Sequence, residues 1–231
     1  NTVIISARGA SVKRIQIFGD SIMKGVVYDS EAGKYSLCRE KLCVPEAEII
    51  NRSKMGATVE QGMKLIDRHL ESCRDSVVIL EYGGNDCNFN WAEVSEAPEA
   101  EHSCAVMPER FEKLYTEAAE KLLAAGAEVV ISTLPPISAP KFMSFLSRGL
   151  SSERIMSWLG DVERLSLWQQ HYSEIAEGIA HRIGCPLLPA RRAVSSLEWD
   201  GMVCNDGLHP NAEGYALLYS GVSEFLGSVF C

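Results

Sequence analysis

The 231-residue sequence predicts an α/β fold, in which a parallel sheet of five strands carries helices on both faces. Three observations support this. Short apolar runs alternate with longer stretches whose apolar residues recur at helical spacing. Residues 76–82 (SVVILEY) begin almost wholly apolar, as a strand covered on both faces must. Residues 108–125 open on Pro108 and are followed by Gly126, the usual asymmetry of helix start and helix end.

Taken in order, residues 12–18 read as the first strand and Ala47–Asn51 as the second. Residues 58–73 form a helix, because Val59, Met63, Ile66 and Leu70 fall near one face. Residues 76–82 are the third strand and 108–125 the next helix. Residues 128–134 (EVVISTL) are the fourth strand, stopped by Pro135 and Pro136. Residues 152–183 are mainly helical with a break near Gly160, residues 186–188 form a short fifth strand, and residues 210–226 form a closing helix. No repeat, low-complexity tract or linker interrupts the pattern. One domain over residues 1–231 is expected, with residues 1–11 as an N-terminal extension. Residues 87–107 and 137–151 are expected to be irregular, and irregular stretches of that length are usually functional or mobile.

Composition narrows the function. A chain with 46% hydrophobic and 23% charged residues is ordinary for a soluble globular protein. No run approaches the roughly 18 apolar residues of a membrane span. A net charge of −9 argues against a nucleic-acid partner. The eight cysteines are scattered without CxxC or zinc-like spacing, so no metal site is expected. Free thiols in a reducing compartment are the expectation. The N-terminal residues lack the layout of a secretory signal, and a cytoplasmic location follows as an expectation.

In an open parallel sheet, ligands bind beyond the carboxyl ends of the strands. Three polar groups fall at such ends: Gly19-Asp20-Ser21 after IQIF, residues 51–56 (NRSKMG), and Gly83-Gly84-Asn85-Asp86. A nucleophilic serine needs a base, and the base needs a group to orient it. Of the five histidines, His69, His171 and His181 lie in helical stretches, and His102 lies in an acidic loop. His209 differs. Asp206 precedes it by three residues and Pro210, read as opening the last helix, follows it, so the carboxylate can reach the imidazole across a short turn. Acyl transfer also needs donors aimed at the oxyanion. The Ser21 N–H at a helix start, the Gly56 N–H and the Asn85 side-chain amide are the candidates. Asp20 and Asp86 read as structural, pinning loop amides, and Glu93, Glu96, Glu99 and Glu101 as solvated surface.

These stretches together, IFGDSI, NRSKMGAT, GGND and DGLH, resemble in order the four blocks of the SGNH (GDSL-type) hydrolases, over residues 12–226. The resemblance implies a three-layer, flavodoxin-like α/β/α fold around the parallel five-stranded sheet. It implies Ser21 as nucleophile, His209 as base and Asp206 as its partner, with Ser21, Gly56 and Asn85 as the oxyanion hole and no cofactor. Lys54 and Met55 are bulky for the second block and narrow the site. The expected activity is serine-dependent hydrolysis of a small-molecule, carbohydrate or lipid ester, with a short acyl group such as acetyl preferred. Lysophospholipase, thioesterase or acyltransferase chemistry on the same site are alternatives within that resemblance. A non-catalytic module binding an acylated ligand is the rival from another class. A metal-dependent phosphoesterase would need a ligand cluster that Asp206 and His209 alone do not make. Trp91, Phe142, Phe145 and Trp158 are candidate substrate-pocket residues, with core packing or a dimer contact as the competing reading. Nothing in the sequence bears on oligomeric state.

Overall fold

The computed structural model describes residues 13–194 and 198–230. Residues 1–11, expected as an N-terminal extension, lie outside that range. The strands are β1 (Lys13–Gly19), β2 (Val26–Asp29), β3 (Lys34–Leu37), β4 (Ala47–Asn51), β5 (Val77–Glu81), β6 (Glu128–Ser132) and β7 (Leu187–Leu188). The helices are α1 (Ser21–Lys24), α2 (Val59–His69), α3 (Trp91–Glu96), α4 (Pro108–Ala124), α5 (Ala139–Leu146), α6 (Ser152–Leu159), α7 (Glu163–Ile183), α8 (Ala190–Ala193) and α9 (Ala212–Phe230).

Five strands form one parallel sheet in the order β4-β1-β5-β6-β7. After β1 the chain moves to one side for β4 and then crosses to the other for β5. The order therefore reverses beside β1, and the crevice beyond its carboxyl end is where such sheets bind ligands. Alternation along the strands sends residues to two cores. Phe18, Val78 and Leu80 pack with Phe111 and Tyr115 of α4 and Ile179 of α7. Ile15, Ile17 and Ile79 pack with Tyr215, Leu218 and Val222 of α9. A third cluster joins α3, α5, α6 and the start of α7 through Trp91, Phe142, Ile155 and Leu165.

The five predicted strands are all present within a residue or two of their expected ends, and Gly160 separates α6 from α7 at φ 79°. Three local readings need correction. The stretch 137–151 is not irregular, because α5 occupies its middle with Pro140 in its first turn. The stretch 87–107 contains α3, whose start is held by the Asn90 side chain accepting from the Glu93 N–H. The closing helix starts at Ala212 rather than at Pro210, since Pro210 forms a β-bridge with Val203 and Asn211 supplies the cap, accepting from the Gly214 N–H at 3.0 Å. A further element had no sequence signal: residues 26–37 fold as an antiparallel hairpin of β2 and β3, with Tyr28 directly opposite Tyr35. Its two strands have four residues each and mixed polarity, too short for alternation to mark them.

Among the described residues no helix is long and apolar enough to cross a membrane. Cys38, Cys43, Cys73, Cys87, Cys104, Cys185 and Cys204 are free thiols.

Candidate active site

The nucleophile candidate stands where β1 turns into the short helix α1. Asp20 caps that helix by accepting the Ile22 N–H at 2.8 Å, which leaves the following residue, Ser21, at the mouth of the crevice. The loop after β4 is hooked to the same place, for the Lys54 N–H donates to the Gly19 carbonyl at 3.0 Å. Beyond β5, Asp86 accepts the Val59 N–H at 2.9 Å and the Gly83 N–H at 3.0 Å, pinning two loops as its sequence context suggested.

His209 comes from the far end of the chain. Its Nε2 lies 2.8 Å from Ser21 Oγ, and its Nδ1 lies 2.6 Å from Asp206 Oδ2. The other carboxylate oxygen, Oδ1, accepts the N–H groups of Leu208 at 3.1 Å and His209 at 3.2 Å. The turn is closed by the Cys204 N–H donating to the His209 carbonyl at 2.7 Å. These bonds and the 203–210 bridge hold the imidazole, in place of the helix start expected at Pro210. All three side chains are buried, Asp206 completely.

Asn85 Nδ2 donates to Asp20 Oδ2 at 3.0 Å and to the Ala57 carbonyl at 3.2 Å. Gly56 is exposed at φ 76°, and a Cβ on it would meet no atom within 4 Å. It sits between two tethers, Lys54 to Gly19 and Ala57 to Asn85, but it does not line the cavity described next.

That cavity, of about 570 Å³, opens beside Ser21, Asn85 and His209 and runs under α6 and α7. Its walls include Phe89, Trp91, Phe142, Trp158, Leu165 and Trp168. Three of the four aromatic residues singled out from the sequence therefore meet here. The fourth, Phe145, does not line the cavity; it packs edge-on to Tyr28 of the hairpin, with ring centroids 5.3 Å apart. Among the described residues no three His, Cys, Asp or Glu side chains gather as a metal site.

The family model described as "GDSL-like Lipase/Acylhydrolase family" matches residues 17–217. The chain belongs to that family. Membership makes it an ester-hydrolysing enzyme of the GDSL type. Esterase TesA of Pseudomonas aeruginosa is 23% identical over 150 residues, 63% of this chain and 67% of that one. Among solved structures, a lipase/acylhydrolase from Enterococcus faecalis superposes with a TM-score of 0.60 at 17% identity, covering 94% of this chain and 96% of that one. LAE5, described as an alpha/beta hydrolase enzyme from the metagenome of Lake Arreo, Spain, gives 0.61 at 17% identity over 96% and 98% of the two chains. These likenesses show a shared fold.

Within this GDSL-type frame, two features lay outside the reading of the motifs. The first is Glu81, the last residue of β5, which lines the cavity floor and is buried. The Asp20 N–H points to Glu81 Oε2 at 3.4 Å, and Glu81 Oε1 has no hydrogen-bond partner among the described residues. Burial, and then the neighbouring Asp20 charge, push the Glu81 carboxyl well above the usual carboxylate range. Burial likewise pushes Asp20 up to about 6, against the pull of the Ile22 N–H, and Asp86 up to about 7. A signal for Glu81 did exist in the sequence: a single carboxylate directly after the apolar run from Val77 to Leu80. The second feature is the hairpin, whose Tyr35 ring lies 5.4 Å from the His209 ring.

Proposed function

We propose that this chain is a serine esterase acting through an acyl-enzyme, with Ser21 as nucleophile, His209 as base and Asp206 as the group that orients and stabilises the imidazolium. The observation that carries the reading is one line of hydrogen bonds at the mouth of an apolar cavity, Ser21–His209–Asp206, at 2.8 and 2.6 Å. Ser21 Oγ attacks the ester carbonyl while its proton passes to His209 Nε2. The tetrahedral adduct collapses, and the same proton goes to the leaving alkoxide. Water then repeats the sequence, giving up a proton to His209 as its oxygen attacks, and releases the acid and free Ser21. No cofactor takes part.

The developing oxyanion is assigned to the Ser21 N–H, the Asn85 amide and the Gly56 N–H. Asn85 shares its longer bond, now to the Ala57 carbonyl at 3.2 Å, with the oxyanion, while the bond to Asp20 keeps the amide in place. The assignment of Gly56 rests on the two tethers that hold its loop to Gly19 and Asn85.

The acyl group that suits the site is longer than acetyl. About 570 Å³ walled by Trp91, Phe142 and Trp158 is far more apolar space than an acetyl group fills. An apolar acyl chain of medium length fits it better. Each methylene buried contributes about 0.8 kcal/mol, or about fourfold in kcat/KM.

The test is hydrolysis of p-nitrophenyl esters from acetate to palmitate, with Ser21→Ala alongside and fluorophosphonate labelling of Ser21. We expect kcat/KM to climb with chain length and then fall, and Ser21→Ala to lower kcat by about 10⁶. Labelling without turnover would indicate a competent nucleophile requiring a specific alcohol or acceptor. Loss of both would overturn the serine reading in favour of a module that only binds acylated ligands.

A further inference from the structure

The acyl cavity leaves the other half of an ester, its alcohol, without a site. The alcohol has to sit where His209 can return a proton to it, and one structure stands against His209 outside the cavity. Tyr35 meets the imidazole ring at 5.4 Å and 64°, and remains 40% exposed. Tyr28, its cross-strand neighbour, lies 5.0 Å from it and 5.3 Å from Phe145 of α5. The Arg148 guanidinium covers the Tyr28 and Phe145 rings at 6.0 and 5.5 Å, and its Nη1 donates to Tyr28 Oη at 3.2 Å.

The hairpin carrying these tyrosines is tied to the catalytic turn. Asn205, the residue before Asp206, donates from Nδ2 to Ser30 Oγ at 3.0 Å, while the open end of the hairpin is closed by the Cys38 N–H donating to the Gly25 carbonyl at 2.7 Å. Helix α5 divides the site: Phe142 faces the cavity, and Phe145, one turn on, faces the hairpin.

We infer that Tyr28, Tyr35, Phe145 and Arg148 form the subsite for the leaving alcohol, and that this alcohol is an uncharged sugar-like polyol. The inference rests on the serine esterase reading and names the second half of its substrate. Aromatic faces are electron-rich and pack against the C–H faces of a sugar ring, while phenol hydroxyls and a guanidinium bond its hydroxyls. Burial and the nearby Asp206 carboxylate push Tyr35 up to about 12, so at neutral pH its hydroxyl both donates and accepts. An anionic alcohol fits less well. Asp29 and Glu31 sit in the same hairpin, and the chain carries a net charge of −9.

The experiment compares octanoyl glucose with ethyl octanoate, two esters of one acid, on the wild-type chain and on Tyr35→Ala, Tyr35→Phe, Phe145→Ala and Arg148→Gln. We expect wild type to prefer the sugar ester at least tenfold in kcat/KM. Tyr35→Ala, Phe145→Ala and Arg148→Gln should each cut that ratio at least fivefold, with Tyr35→Phe between wild type and Tyr35→Ala. The conservative variant and thermal melts separate lost recognition from lost folding. Turnover of both esters with no sugar preference, or a preference that none of the variants changes by twofold, overturns the subsite and leaves the serine esterase standing. Hydrolysis of neither ester, with no fluorophosphonate labelling of Ser21, overturns the esterase reading and the subsite with it.

Discussion

Asn85 Nδ2 donates to Asp20 Oδ2 across 3.0 Å, linking the end of β5 to the residue that precedes Ser21. Two segments 65 positions apart thereby share one bond at the crevice. In the proposed mechanism that bond aims the amide at the oxyanion. Asn85→Ala should lower kcat by about 10²–10³ with little change in KM, the value of one oxyanion donor. Asp20→Asn replaces an ionic acceptor with a neutral one and should cost about tenfold in kcat, since bonds to ionised groups are about twice as strong. Steady-state kinetics on the best p-nitrophenyl ester decides this; full kcat in Asn85→Ala would remove Asn85 from the oxyanion hole.

The buried carboxyls make stability fall as pH rises. Asp20 and Asp86 move from 3.8 in the unfolded chain to about 6 and about 7 in the fold, and Glu81 moves in the same direction, all by burial first. The folded state therefore holds more protons than the unfolded one between those values. The Asp20 and Asp86 contributions are complete below about 4 and are lost as pH climbs through about 6 to 7, and Glu81 adds a contribution of the same sign. Glu81→Gln removes one of the three titrations at nearly constant volume. Thermal melts from pH 4.5 to 7.5 should show a smaller drop in Tm for Glu81→Gln than for wild type. Equal slopes would mean that the fold holds the Glu81 proton no more tightly than the unfolded chain does.

Gly207 is a position where only glycine fits. Its φ is 76°, and a Cβ there would lie 2.6 Å from the Phe142 Cα, backbone that cannot yield without moving α5. The same residue's carbonyl accepts the Ser138 N–H at 2.8 Å, joining the Asp206–His209 turn to the start of α5. Gly207→Ala should destabilise the protein by about 2–4 kcal/mol, from overpacking and left-handed strain together. It should also lower kcat by displacing His209. Urea unfolding and kinetics on one preparation check both effects, and a variant as stable as wild type would refute the close approach.

Trp158 lines the cavity and also packs on Phe89 and Trp91, at centroid distances of 5.0 and 6.2 Å. Trp158→Ala should flatten the dependence of kcat/KM on acyl length, losing about tenfold on octanoate and much less on acetate. A uniform loss across all chain lengths would place Trp158 outside the acyl site.

Much of this molecule is legible in its sequence. The run SVVILEY marks a covered strand because its apolar residues are consecutive, and the alternation of β1 and β5 between two cores follows from the pleat. Serine, glycine, asparagine and histidine could each be placed at a strand end or turn from their immediate neighbours alone. Where local signals were weak, the reading failed. The β2–β3 hairpin has strands of four residues, α5 and α3 have only eight and six residues, and Pro210 suits a β-bridge as well as it suits a helix start.

Local pattern therefore determined the elements, the faces they bury and the chemistry available at their ends. It did so because strand pleat, helical pitch, and proline and glycine preferences act over a few residues. Tertiary structure alone decided the strand order β4-β1-β5-β6-β7 and the meeting of Ser21 with His209 across 188 positions. It also decided that Phe142 faces the acyl cavity while Phe145, three residues later, faces the hairpin. Those outcomes depend on which surfaces bury one another best when the whole chain packs, and no short window of sequence contains both partners.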